Sequence, residues 1–216
     1  MYGEEFSYDY VEHFHKSLSD ESRWVIKKTY EIYKKRGLKG KLLEIGGGPT
    51  VYQLLSPSLY VDDITFTDLS IDNLQRVQDW INSDDNNSWS LHADLVASLT
   101  SQEYSSKSVE KLLKNKIVNL KVLDIAALEF SDIEESFNVV SSAFCIDVAS
   151  KDLDQFFKNI MKIHKFLKPG GAAILIFALN CEFYRVKKTK YYPIRYDLKT
   201  TPFFGHYDRS TASASS

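Results

Sequence analysis

Apolar positions along the chain fall into runs of two alternating kinds. Between 19 and 37, Trp24, Tyr30 and Tyr33 recur at helical spacing; Ser19 or Asp20 can cap the start, Lys34, Lys35 and Arg36 suit the last turn, and Gly37 supplies a stop. Residues 41–45 then read as a buried strand, and 50–55 as a short helix opened by Pro49 and closed by Ser56 and Pro57. A second strand is predicted at 64–68, followed by a helix capped by Ser70 with Leu74, Val77 and Ile81 on its apolar face. Residues 83–117 are polar and weakly patterned and are read as an insertion holding one short helix at 109–113. Strands follow at 120–125 and 137–144. The helix predicted at 153–167 is the most strongly patterned, with Phe156, Ile160, Ile163 and Leu167 on one face. Lys168, Pro169, Gly170 and Gly171 stop it, and 172–179 is a nearly all-apolar strand.

Strands alternating with helices, and strands apolar on both faces, predict an α/β fold with a doubly wound, mostly parallel sheet. A chain of 216 residues is long enough for one well-cored domain, placed at 1–200 with a terminal segment at 1–37; the tail at 201–216 ends in STASASS, a low-complexity stretch expected to be disordered. No internal repeat is present. The net charge of -2 argues against a general nucleic-acid binder. Cys145 and Cys181 are the only cysteines and read as reduced, buried thiols. The N-terminus has no signal-peptide core, and no apolar run reaches the ~20 residues needed to cross a bilayer. A cytoplasmic monomer is expected, with no nucleic-acid or membrane partner and, with the histidines scattered, no metal site.

The candidate chemistry sits in LEIGGGPTVYQLL, residues 43–55. Three glycines between a strand and a helix start put bare backbone at the carboxyl edge of a parallel sheet, where doubly wound folds bind ligands. Asp68, roughly twenty positions on at the end of the second strand, is placed to accept hydrogen bonds from both ribose hydroxyls. A plain glycine turn with a capping aspartate is the other reading. Dinucleotide binders want glycine where Val51 stands, and a phosphate-binding loop would need a Gly-Lys-Ser/Thr ending that is absent. What remains is an acid–x–Gly–x–Gly turn, Glu44 to Gly48, with an acidic strand end at Asp68. It resembles the fingerprint of Rossmann-like methyltransferases, which bind S-adenosyl-L-methionine.

The resemblance extends to GGGPTVYQLL, TDLSIDNL, FCID and LKPGG in that order, from about Asp9 to Tyr184. Together they are similar to the family of nicotinamide, phenylethanolamine and indolethylamine N-methyltransferases. By that resemblance Tyr10 and Tyr52 contact the methionine part of the cofactor. Glu44, Gly46, Gly47, Gly48 and Thr50 form the turn facing it, Asp68 takes the ribose, and Asn73 helps hold that region. Asp124 and Ile125 flank the adenine, and Ala143 lines the pocket floor. Each position has a plainer alternative: Tyr10 and Phe14 packing a terminal segment, Tyr52 in the core, Asp124 capping a loop, Asn73 as an ordinary first-turn residue, Asp147 capping a helix. His15 stands where the family presents a tyrosine.

Methyl transfer from a sulfonium to an amine is a direct displacement, so the enzyme positions the reactants and needs no nucleophile of its own. At the fifth strand the family presents an acid that orients the acceptor nitrogen, and here Phe177 stands in its place. Asn180, Glu182 and Tyr184 are the nearby acceptor-side candidates. The residues after 181 hold no amphipathic helix of normal length, so the final strand pair is expected to be missing and the fifth strand to lie at the sheet edge, open to an edge-strand partner. The expected function is an S-adenosylmethionine-dependent N-methyltransferase acting on a small amine or pyridine-type acceptor. The alternative is a catalytically impaired, shortened homologue that binds the cofactor or a partner.

Overall fold

The computed structural model describes residues 10–11, 16–84, 89–101, 103–129, 134–179, 184–186, 189–191 and 207–208. Helix α1, Asp20–Arg36, starts at Ser19, whose Oγ accepts the Ser22 amide at 3.1 Å, and ends at Gly37 in the left-handed region at φ 61°. Asp20 and Glu21 at its start and three basic residues at its end complement the helix dipole. Strand β1, Leu42–Ile45, is buried throughout. Helix α2 is one turn, Tyr52–Leu55, so Pro49 and Thr50 remain in the preceding turn, and Pro57 opens a separate 3-10 turn, Pro57–Leu59. Strand β2, Ile64–Asp68, is fully buried, and α3, Ile71–Asn82, is capped by Ser70 as its sequence predicts.

The stretch expected to be an insertion carries two helices, α4 (Ser90–Leu99) and α5 (Ser106–Lys116). Trp89, His92, Ala93 and Val96 recur at helical spacing and are buried, as are Val109 and Leu113. A histidine within the apolar stripe hides that period from a hydropathy reading. Strand β3 is Ile117–Val122, earlier than predicted, because its edge position leaves Val118 and Val122 more than half exposed and weakens the alternation. Strand β4 is Phe137–Ala143, α6 is Leu153–Lys165, and β5 is Leu167–Ile176.

The five strands form one parallel sheet in the order β3-β2-β1-β4-β5. Leu42 faces a core layer built with α1, α3, α4 and α5, while Leu43 and Ile45 face a second layer with Phe156 and Ile163 of α6. Strand order reverses direction between β1 and β4. In such sheets the crevice outside the carboxyl ends of those two strands is where ligands bind. Among the described residues no strand pairs with the outer edge of β5. The short strands β6 (Ala178–Leu179) and β9 (Tyr207–Asp208) form one small parallel pair, and β7 (Tyr184–Val186) and β8 (Thr189–Tyr191) an antiparallel one. No described helix is long and apolar enough to cross a membrane.

Candidate functional site

The turn leaving β1 lies at that reversal point. Gly46 and Gly48 adopt positive φ, 65° and 64°, and the Gly47 amide donates to Thr67 O at 3.0 Å. The glycines serve different purposes. A Cβ on Gly46 would lie 2.0 Å from Cys145 Sγ, and one on Gly47 would lie 2.2 Å from the Phe66 ring. Those two are glycine because the protein's own side chains fill the space. Only Gly48 opens onto free space, with nothing within 4 Å of an added Cβ. The expectation that all three lie bare toward a ligand therefore narrows to Gly48.

Polar groups beneath the turn fix its shape. Gln53 Nε2 donates to Gly47 O at 3.1 Å, to Thr50 O at 3.2 Å and to Glu44 Oε1 at 3.3 Å; Thr50 Oγ1 donates to Gly47 O at 3.2 Å. Glu44 is fully buried, its other oxygen accepting from Ser141 Oγ. Burial pushes the Glu44 carboxyl up to about 7, with the Ser141 and Gln53 hydrogen bonds pulling the other way. Burial, helped by the nearby Glu44 charge, raises the Tyr33 hydroxyl as well. Glu44 thus braces the turn from below. Thr67 Oγ1 to Glu44 O at 2.7 Å and Ser142 Oγ to Ile45 O at 2.9 Å tie the end of β1 to both neighbouring strands.

Asp68 ends β2 beside this turn. Its Oδ2 accepts the Gly48 amide at 2.8 Å, and its Oδ1 accepts the Ser70 amide at 2.8 Å and Asn73 Nδ2 at 2.9 Å. A carboxylate offers about four lone-pair directions, so these three bonds leave capacity for one further donor. One ribose hydroxyl fits without displacing a protein contact, against the two expected from sequence.

Asp124 follows β3, and its Oδ1 accepts the amides of Ala126 and Ala127 at 2.9 and 3.2 Å, so the loop-capping reading is realised. Ile125 is buried beside it. Ala143 ends β4, and Phe144 follows at φ 57°, a left-handed conformation that costs a bulky residue on the order of 1–3 kcal/mol. Its amide donates to Ile176 O at 2.8 Å. The fully buried Asp147 accepts the Ala178 amide through Oδ2 at 3.3 Å.

Other predicted residues sit differently. Tyr52 is buried in an aromatic cluster, 6.3 Å from the Trp89 ring and 5.7 Å from His92. Tyr10 is half-buried in a short helical pair. Phe177, expected at the acceptor pocket, is buried edge-on against Phe156 at 5.3 Å in the second core layer. That packing accounts for the residue without an acceptor. Phe14, His15, Asn180, Cys181 and Glu182 lie outside the described residues, and Tyr184 begins β7. Sequence reasoning missed Gln53, Ser141 and Phe144. Gln53 stood within the quoted motif, and Ser141 was a polar residue in an apolar strand.

The crevice suits an adenosyl ligand on two observations: open space over Gly48, and residual acceptor capacity on Asp68 next to it. The family model described as "NNMT/PNMT/TEMT family" matches residues 2–197. Human nicotinamide N-methyltransferase is 29% identical over 199 residues, covering 85% of this chain and 73% of that protein. Phenylethanolamine N-methyltransferase of Macaca mulatta is 30% identical over 148 residues, covering 66% and 52%. Among solved structures, a DhpI complex with SAH superposes with a TM-score of 0.56 at 12% identity, covering 89% of this chain and 76% of that one. An S-adenosylmethionine-dependent methyltransferase from Clostridium acetobutylicum gives 0.50 at 14% identity, covering 89% and 69%. These two likenesses establish the shared fold.

Proposed function

Because the chain belongs to the NNMT/PNMT/TEMT family of S-adenosyl-L-methionine-dependent methyltransferases, we propose that it methylates the nitrogen of a small amine or pyridine-type acceptor in the crevice between β1 and β4. Family membership favours this enzyme over a homologue that binds without turnover. The observation that carries the reading is the Gly48–Asp68 hydrogen bond of 2.8 Å at the strand-order reversal.

When bound, the cofactor supplies an electrophilic methyl group on a sulfonium. The chain's own groups hold and orient. Gly48 allows close backbone approach, and Asp68 accepts a ribose hydroxyl with its remaining capacity. Asn73 and the Ser70 amide keep that carboxylate aimed. Asp124 and Ile125 flank the adenine, Tyr10 borders the methionine end, Tyr52 supports the turn from the Trp89–His92 cluster, and Ala143 lines the floor. Asn180 and Tyr184 belong to the acceptor side. The family's acid is replaced by the inward-packed Phe177, so the nitrogen is oriented by other groups. A flat, uncharged acceptor suits that arrangement better than a protonated amine. The protein acts as a cytoplasmic monomer.

Calorimetry with S-adenosylhomocysteine tests the cofactor half: micromolar binding is expected, weakened at least tenfold, or about 1.4 kcal/mol, by Asp68→Ala. A methyl-transfer assay over nicotinamide, phenylethanolamines and thioethers tests the acceptor half. Turnover confined to thioethers, or none with any class, contradicts the proposed chemistry.

A further inference from the structure

Helix α6 carries a polar row on its buried side that the scheme above does not use. Gln155, Asn159 and Lys162 lie four and three residues apart, one stripe of a helix. Asn159 is fully buried and Lys162 is 6% exposed, among Phe156 and Ile163 of the second core layer. Polar groups placed there are costly unless bonded, and these are bonded. Lys162 Nζ donates to Ile125 O at 3.0 Å and to Ala126 O at 3.1 Å. Gln155 Nε2 donates to Asn159 Oδ1 at 2.9 Å and reaches Ala126 O at 3.5 Å. Asn159 Nδ2 donates to Ser150 Oγ at 3.1 Å, and Ser150 Oγ donates to Ile146 O at 2.6 Å.

The row therefore grips two loops at once: the one after β3, which carries Asp124 and Ile125, and the one after β4, which carries Ile146 and Asp147. An aliphatic residue in place of Lys162 could fill the volume but could not hold two carbonyl oxygens in fixed directions. Asp124 Oδ1 already closes the same loop from inside by accepting the Ala126 and Ala127 amides. Residue Ala126 is thus fixed at both its amide and its carbonyl.

We propose that Lys162, supported by Asn159 and Gln155, is a positioning residue for the adenine end of the cofactor site: by holding the Ile125 and Ala126 carbonyls it sets the place and tilt of the peptide that presents Asp124 and Ile125. This rests on the assignment of those two residues to the adenine. Lys162 acts through the loop and touches no reactant.

The test uses the full chain with Lys162→Met, which keeps the aliphatic stem, and Lys162→Arg, which restores a charged donor. S-adenosylhomocysteine affinity is measured by calorimetry at a temperature where circular dichroism shows every variant folded. Lys162→Met is expected to bind at least fivefold more weakly, and Lys162→Arg to return to within twofold of the parent. In steady state, KM for the methyl donor rises with Lys162→Met while kcat and the acceptor KM stay within twofold. Hydrogen exchange of the peptide containing 124–128 is expected to quicken in Lys162→Met and to slow in the parent on adding S-adenosylhomocysteine. Gln155→Ala gives the same loop readout should Lys162→Met fail to fold. A lower melting temperature with unchanged affinity and unchanged loop exchange would make the row purely structural and overturn the inference. Failure of the site assignment has a different signature: the parent binds no S-adenosylhomocysteine, or Asp68→Ala binds it as well as the parent does.

Discussion

The amide of Gly48 donates to the carboxylate of Asp68 at 2.8 Å, joining the end of the first strand's turn to the end of the second strand. Residues twenty apart in sequence thus form one lip of the crevice. The same carboxylate holds Asn73 and the Ser70 amide, so the start of α3 is locked to the glycine turn.

The three glycines are separable by mutation. Gly46→Ala puts a methyl group onto Cys145 Sγ and strains a left-handed residue, and is expected to cost about 2–4 kcal/mol in urea unfolding. Cys145→Ala in the same chain removes the Sγ contact but leaves the Cβ 2.7 Å from the new methyl, so only part of the cost, about 1 kcal/mol, is recovered, which a double-mutant cycle measures. Gly48→Ala meets no protein atom and costs about 1–2 kcal/mol from conformation alone. Its larger effect is a weakening of S-adenosylhomocysteine binding, at least tenfold by calorimetry.

Glu44 makes stability fall as pH rises. Its folded value of about 7 lies above the ordinary 4.5, so the folded state binds more protons between those values. The stabilisation is complete below 4.5 and is lost as pH rises through 7, by about 1–3 kcal/mol. Glu44→Gln should match the parent within about 1 kcal/mol at pH 5.5 and exceed it by a comparable 1–3 kcal/mol at pH 8.5. Denaturant midpoints across that range check it; parallel pH profiles for the two proteins refute it.

His92 acts in the opposite direction. Burial lowers it from 6.5 to about 4, so the unfolded chain binds the extra proton between those values and stability falls as pH drops from 6.5 toward 4. His92→Leu should flatten the acid side of the profile. Because His92 packs against Tyr52 and Trp89, fluorescence should report the acid transition.

Phe177 tests the acceptor side. Its ring packs on Phe156 in the core, so Phe177→Ala should cost about 3–4 kcal/mol of stability, and Phe177→Leu less than about 1.5. Phe177→Leu is expected to leave the acceptor KM within threefold. A large KM change without loss of stability would place the ring at the acceptor.

The parallel fold was legible because β1 and β2 are buried throughout, β4 is mostly so, and α1, α3 and α6 carry clean caps and apolar stripes. The turn and Asp68 were legible because the glycine-rich motif and a strand-end carboxylate are local patterns. Helix α4 was missed because His92 is a buried polar residue within its apolar stripe, and α5 was found only as its central turn at 109–113 because Glu110 and Lys114 are likewise buried, which only tertiary contacts reveal. Strand β3 was misplaced because an edge strand carries exposed valines. The separate duties of the three glycines depend on Cys145 and Phe66, distant in sequence, and no local pattern encodes them.

The most direct test of the central claim is a crystal structure of the full chain with S-adenosylhomocysteine. The account places a ribose hydroxyl within hydrogen-bonding distance of Asp68, the ligand backbone against Gly48 and the adenine beside Ile125. An adenosyl group bound elsewhere, or the Gly48–Asp68 contact replaced by a side chain plugging the crevice, would contradict it.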